Sequence, residues 1–190
     1  MSNPLRRRLD GVVPTPRNIV QSIPALVTSN GRWRFFMSND RLRDESDIRE
    51  LAGRFSDAVN RRDLELFRTL WTQDGVWDIK APMNVRVTGP DAIVSAVSRL
   101  LGGWAFFVQS THLGTVTVNG DVATARFTMN EIGRPLSGGG GHFNYGLYAD
   151  ALRRTPEGWK FTKRVYHFLY LDASTLTGDG GPPLPDDLYR

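Results

Sequence analysis

Cysteine is absent from the 190 residues, which excludes disulfides, thiolate zinc sites, iron–sulfur ligation and cysteine nucleophiles together. That absence suits a cytoplasmic protein. No run of about 18 apolar residues occurs, so no membrane-spanning helix is expected. The first residues, MSNPLRRRLDG, are basic, but no apolar stretch follows them, so a secretory signal is not expected. Histidine is limited to His112, His142 and His167, on three predicted strands with no paired-carboxylate spacing, so a metal site is not expected. A phosphate loop is also missing. The glycine run Ser137 to Gly141 lies between two predicted strands and lacks the helix N-terminus that such loops use.

Lysine is scarce. Only Lys80, Lys160 and Lys163 accompany the arginines among the 24 basic residues, and the formal charge is +4. The excess is local, because eight arginines lie in the first 43 residues while the chain from Asp44 onward has 16 basic and 18 acidic residues. No helix-turn-helix, zinc or RNP-type pattern accompanies it, so nucleic acid is not an expected partner. The length fits one domain with a real core. Residues 1–45 read as a basic arm broken by Pro4, Pro14, Pro16 and Pro24, residues 46–172 as the domain, and residues 173–190 as an unstructured tail. Within the arm, residues 18–23 could form a helical turn and residues 33–37 an edge strand.

The domain opens with helices. Ile48, Leu51, Ala52, Phe55 and Val59 recur at the 3.6-residue period and predict a helix from about Asp47 to Asn60. Asp63 is a suitable N-cap for a short second helix that buries Leu66, Phe67, Leu70 and Trp71. Gly89-Pro90-Asp91 opens a third, whose apolar set runs from Ile93 to Leu101 before Gly102-Gly103 ends it. Strands follow, with turns at Asn119-Gly120-Asp121 and Pro156-Glu157-Gly158. Helices first and then an antiparallel meander predict an α+β domain.

The segment Trp104–Val118, WAFFVQSTHLGTVTV, separates at period two into an apolar face and a polar one. Phe106, Val108 and His112 share the apolar face, which predicts an imidazole pointing into the interior, either as a core histidine or as the working group of an enclosed site. Glu131 shares a face with Phe127 and Met129, so its carboxyl is a candidate acid or base. His142 shares parity with Tyr148 and could face the same space. Tyr148, Tyr166 and Tyr170 could donate phenolic hydrogen bonds, and Asp78 could turn either way.

Taken in order, RRDLELFRTLWTQDGVWDI, TGPDAIVSAVSRL, STHLGTVTVNGDVATARF and YADALRRTPEGWKFTKRVY resemble the SnoaL-like branch of the nuclear-transport-factor-2-like superfamily. The resemblance covers about Asp47 to Leu171. It implies a cystatin-like α+β barrel, in which a cone-shaped, curved, mixed or antiparallel sheet packs around three N-terminal helices and holds an apolar pocket. It further implies a cofactor-independent lyase, isomerase or cyclase acting by proton abstraction on a hydrophobic cyclic small molecule. His112 then stands where scytalone-dehydratase-like and dehydrochlorinase-like members place a catalytic histidine, and Asn60 stands where they place the carboxylate that orients it. Glu131, His142 or Tyr148 would polarise the substrate, with Phe106, Val108, Trp77, Phe127, Met129 and Tyr166 lining the pocket. A homodimer or higher homo-oligomer is expected from the open face of the sheet. The alternative on the same fold is a ligand-binding or assembly module without chemistry.

Overall fold

The computed structural model describes residues 39–178 and Gly181. The basic arm as far as residue 38, with the turn expected at 18–23 and the strand expected at 33–37, lies outside the described residues. So does most of the tail.

Helix α1 (Asn39–Arg61) begins eight residues ahead of the expected Asp47. Two features carry it forward. Glu45 takes ion pairs from Arg41 and Arg49 one turn to either side. Asp44 is buried, accepting from the Arg154 guanidinium at 2.6 Å and from the Trp159 indole at 3.1 Å. Those bonds hold the Asp44 carboxyl below the ordinary carboxylate range, Arg154 being the largest influence. Helix α2 (Leu64–Thr69) is capped by Asp63, whose carboxylate accepts from the Leu66 N–H at 2.9 Å. Helix α3 (Pro90–Gly102) starts with Pro90 after Gly89, whose φ of 84° few residues other than glycine adopt.

The strands are β1 (Trp71–Ile79), β2 (Val85–Thr88), β3 (Trp104–Thr111), β4 (Thr115–Asn119), β5 (Val122–Pro135), β6 (His142–Thr155) and β7 (Gly158–Asp172). They form one seven-stranded sheet in the order β2-β1-β7-β6-β5-β3, with β4 beside β3 along β5. Every pairing is antiparallel except β1 with β7, which run parallel. The fold is therefore α+β, a curved and unclosed sheet with three helices against its inner face. Phe55 of α1 stands at the centre of the core, in ring contact with Phe67, Trp71, Trp77, Tyr148 and Phe161.

An ion pair lies inside this core. Arg164 and Asp150 have fully buried side chains joined at 3.0 Å, and the guanidinium lies 3.9 Å from the Tyr148 ring centroid and 4.2 Å from that of Phe55. Burial pushes the Asp150 carboxyl up to about 6, against the pull of Arg164. No described helix is long and apolar enough to cross a membrane.

Candidate active site

Strand β3 sets the geometry of the site. Its inward residues are Phe107, Gln109 and Thr111, with Gln109 4% exposed, while Val108 is 37% exposed on the outer face. The pairing with β5 shifts between Trp104 and Phe106. This irregularity puts Trp104 and Phe107 on one wall, where strict alternation would separate them.

Buried polar residues on β3 are tolerated because each finds a partner. Asn60, at the end of α1, clamps the Gln109 backbone: its amide N–H₂ donates to the Gln109 carbonyl (2.9 Å) and its Oδ1 accepts from the Gln109 N–H (2.8 Å). The Ser56 hydroxyl donates to Gln109 Oε1 at 3.2 Å, and Ser56 Oγ lies 2.5 Å from Thr111 Oγ1. Gln109 Nε2 donates to Glu131 Oε1 at 2.6 Å. On β6, Asn144 Nδ2 donates to Glu131 Oε2 at 2.7 Å and lies 2.5 Å from His142 Nε2. The Tyr166 hydroxyl donates to Asn144 Oδ1 at 2.5 Å. The amide orientations follow from the network, since an ionised carboxylate can only accept.

This chain of bonds ends at a cavity of about 280 Å³. Phe55, Trp77, Ile79, Leu101, Trp104 and Phe107 give it an apolar wall, and Gln109, Glu131 and His142 stand at its polar part. His142 Nε2 lies 3.5 Å from Glu131 Oε2, with side-chain exposures of 16% and 12%. The Trp104 ring packs on the imidazole with centroids 5.1 Å apart. Tyr148 also lines the cavity, and its hydroxyl accepts from the Trp77 indole at 3.2 Å. Burial raises the Tyr148 and Tyr166 hydroxyls well above the ordinary phenol value, so both stay protonated. A second hollow, lined by Arg68, Asp91 and Lys160 among others, brings no reactive pair together, because Arg68 is taken up by Asp91.

All of this framework except Tyr166 lies within the part of the chain that a family model matches: the model described as a SnoaL-like domain covers residues 40–165. The chain belongs to the SnoaL-like family. Among solved structures, the SnoaL-like chain is similar to the hexachlorocyclohexane dehydrochlorinase LinA-type3 of Novosphingobium barchaimii LL02, with a TM-score of 0.66 and 20% identity over 76% of this chain and 98% of that one. A candidate scytalone dehydratase from Novosphingobium aromaticivorans gives 0.65 and 19% over 76% and 100%. An NTF2-like protein with a cystatin-like fold from the same species gives 0.59 and 28% over 68% and 84%. No curated protein matches the sequence.

The site of this SnoaL-like chain differs from its sequence expectation at β3. His112 is exposed just beyond the strand on the outer side, its Nε2 3.0 Å from Asn130 Oδ1, and it does not line the cavity. Phe106 and Val108 share that outer side and do not line it either. Asn60 holds the Gln109 backbone and has no bond to His112. The physical reason is common to all four. The face that looks polar in sequence is satisfied inside by Ser56, Asn60 and Glu131, so apolar character does not mark the inner side of β3.

Trp77, Glu131, His142, Tyr148 and Tyr166 do line the cavity, whereas Phe127 and Met129 are core residues on the same face of β5 without reaching it. Asp78 turns away, to Lys80 and Arg86 at 2.8 Å each. His167 and Tyr170 are exposed and are not in the cavity wall. Gln109, Asn144 and Ser56 escaped the sequence reading. The β5–β6 register, which sets Glu131 opposite Asn144, is the signal that would have found Asn144.

Proposed function

We propose that this cavity is the active site of a lyase or isomerase that abstracts a proton from a hydrophobic cyclic small molecule. Dehydratase and cyclase chemistry are the two forms that the family resemblance implies. The observation that carries the proposal is an imidazole and a carboxylate 3.5 Å apart on the wall of an otherwise apolar cavity. His142 is the base. Glu131, held by the Gln109 and Asn144 amides, stabilises the imidazolium that forms. The Tyr148 hydroxyl, kept protonated by burial, donates to the substrate oxygen where negative charge gathers. Aromatic walls exclude water and strengthen each of these contacts. Proton transfer with loss of a leaving group is redox-neutral, so the proposed step calls for no oxidant or reductant. Similarity to a dehydrochlorinase and to a candidate dehydratase supports the class of chemistry.

The test uses a panel of cyclic alcohols, epoxides and halides, followed by mass spectrometry in D₂O so that proton exchange registers even without net turnover. His142→Gln should lower kcat on the order of 10²-fold or more. Glu131→Gln should lower it less, and His112→Ala should leave it unchanged. Full activity in His142→Gln, or its loss in a folded His112→Ala, would remove the base from His142.

One observation favours a ligand-binding module as the second reading. Asn60, where the resemblance implies an orienting carboxylate, spends both polar atoms on backbone. Binding by the wild type with neither turnover nor exchange across the panel would select it. We also propose that the outer sheet face, where Val108, Tyr145, Leu169 and Tyr170 are exposed, pairs with a second copy of the chain.

A further inference from the structure

The cavity lining includes one cation that the proton-transfer network does not use. Arg99, in the last turn of α3, lines the cavity and is exposed. It has no hydrogen-bond or ion-pair partner among the described residues, in contrast to Arg61, Arg68, Arg86, Arg153, Arg154 and Arg164, each of which meets a carboxylate. A basic residue at a helix C-terminus ordinarily serves the free carbonyls there. At this helix that task is already filled. Arg62 donates to the Leu101 carbonyl at 3.0 Å and to the Trp104 carbonyl at 3.0 Å, and the Gly103 N–H returns to Leu100.

We propose that the ligand of this cavity is a cyclic carboxylic acid, its ring inside the aromatic walls and its carboxylate at the mouth beside Arg99. The proposal rests on the reading of the cavity as the active site and names its substrate class. Three features fix the orientation. Glu131 is an anion among the inner polar groups, so a second carboxylate beside it would be repelled. The rest of the wall is apolar and leaves a ring as the group that gains most from burial. Arg99 is exposed, so the acid group keeps part of its hydration while it gains a guanidinium partner.

Size agrees. The volume of about 280 Å³ is close to twice the roughly 150 Å³ of an apolar cavity that holds one benzene. It therefore accommodates a substituted or fused ring.

Calorimetry with 4-tert-butylbenzoate and its neutral isostere 4-tert-butylbenzamide, at low and at high salt, tests the proposal without any need for turnover. The wild-type protein should bind the carboxylate more tightly by roughly three- to tenfold, the scale of a partly exposed ion pair, and added salt should shrink that preference. Arg99→Gln should abolish the preference and leave the affinity for the amide as it was. His142→Gln should keep the preference, which separates this proposal from the identity of the base. Equal affinity for the two ligands, no binding of either, or a preference that survives Arg99→Gln overturns it.

Discussion

Glycine at position 146 shows how a single residue can shape the site. A side chain there would collide with the Tyr166 phenol, which lies across β6 to reach Asn144. The absence of a Cβ is what lets Tyr166 fix the Asn144 carboxamide, and Asn144 in turn fixes Glu131. Gly146→Ala should therefore destabilise the fold by about 1–3 kcal/mol, the usual cost of overpacking a core. It should also release the Tyr166 hydroxyl, visible as a change in tyrosine absorbance. An unchanged melting temperature and spectrum would show that Tyr166 has another place to go. This chain of dependence was not legible in the sequence, where Tyr166 and Gly146 are merely two strand residues. Glu131 was legible, because a lone acid among Ala123, Ala125, Phe127 and Met129 marks itself by contrast.

At the level of elements, the three helices and the run of strands could be read from periodicity and turn chemistry, since each rests on local sequence. The inner side of β3 could not. It depends on which face α1 covers and on the shift in register near Trp104, both decided by residues some fifty or thirty positions away in the chain, Asn60 and Arg134. The Asn60 clamp joins α1 to β3 in the manner of an added strand, accepting and donating at one residue. Its replacement by Asp keeps the acceptor but sets a carboxylate oxygen against the Gln109 carbonyl. Asn60→Asp should lower stability at neutral pH by about 0.5–1.5 kcal/mol, the net worth of a hydrogen bond, since Asn60 itself is exposed. Denaturant melts over pH would show the loss shrinking as the new acid is protonated. A gain in stability at neutral pH would instead mean that the carboxylate has found a donor.

For the whole molecule, acid sensitivity follows from two anchors. Arg154 and Trp159 hold Asp44, and Lys80 with Arg86 holds Asp78, each below its ordinary value. A carboxyl with a depressed folded value contributes stability that is fully present above its unfolded value near 4, and loses it as pH falls through the depressed one. In thermal melts the stability these two anchors supply should therefore be constant above about pH 5 and fall steeply below pH 4, while the raised Asp150 carboxyl costs stability as pH rises through about 6. Asp44→Asn should flatten that fall, and an identical acid limb would place the sensitivity elsewhere. Light scattering should return at least twice the chain mass, with Tyr145→Glu and Leu169→Glu on the outer face driving it to one. The parallel pairing of β1 with β7 carries a different consequence, one for biosynthesis. Trp71 and Trp77 meet Phe161 and Arg164, and Asp44 meets Trp159, only when the last hairpin has left the ribosome. Until then β1 lacks its β7 neighbour, so a chain stalled before Gly158 leaves open a strand edge that the completed chain pairs.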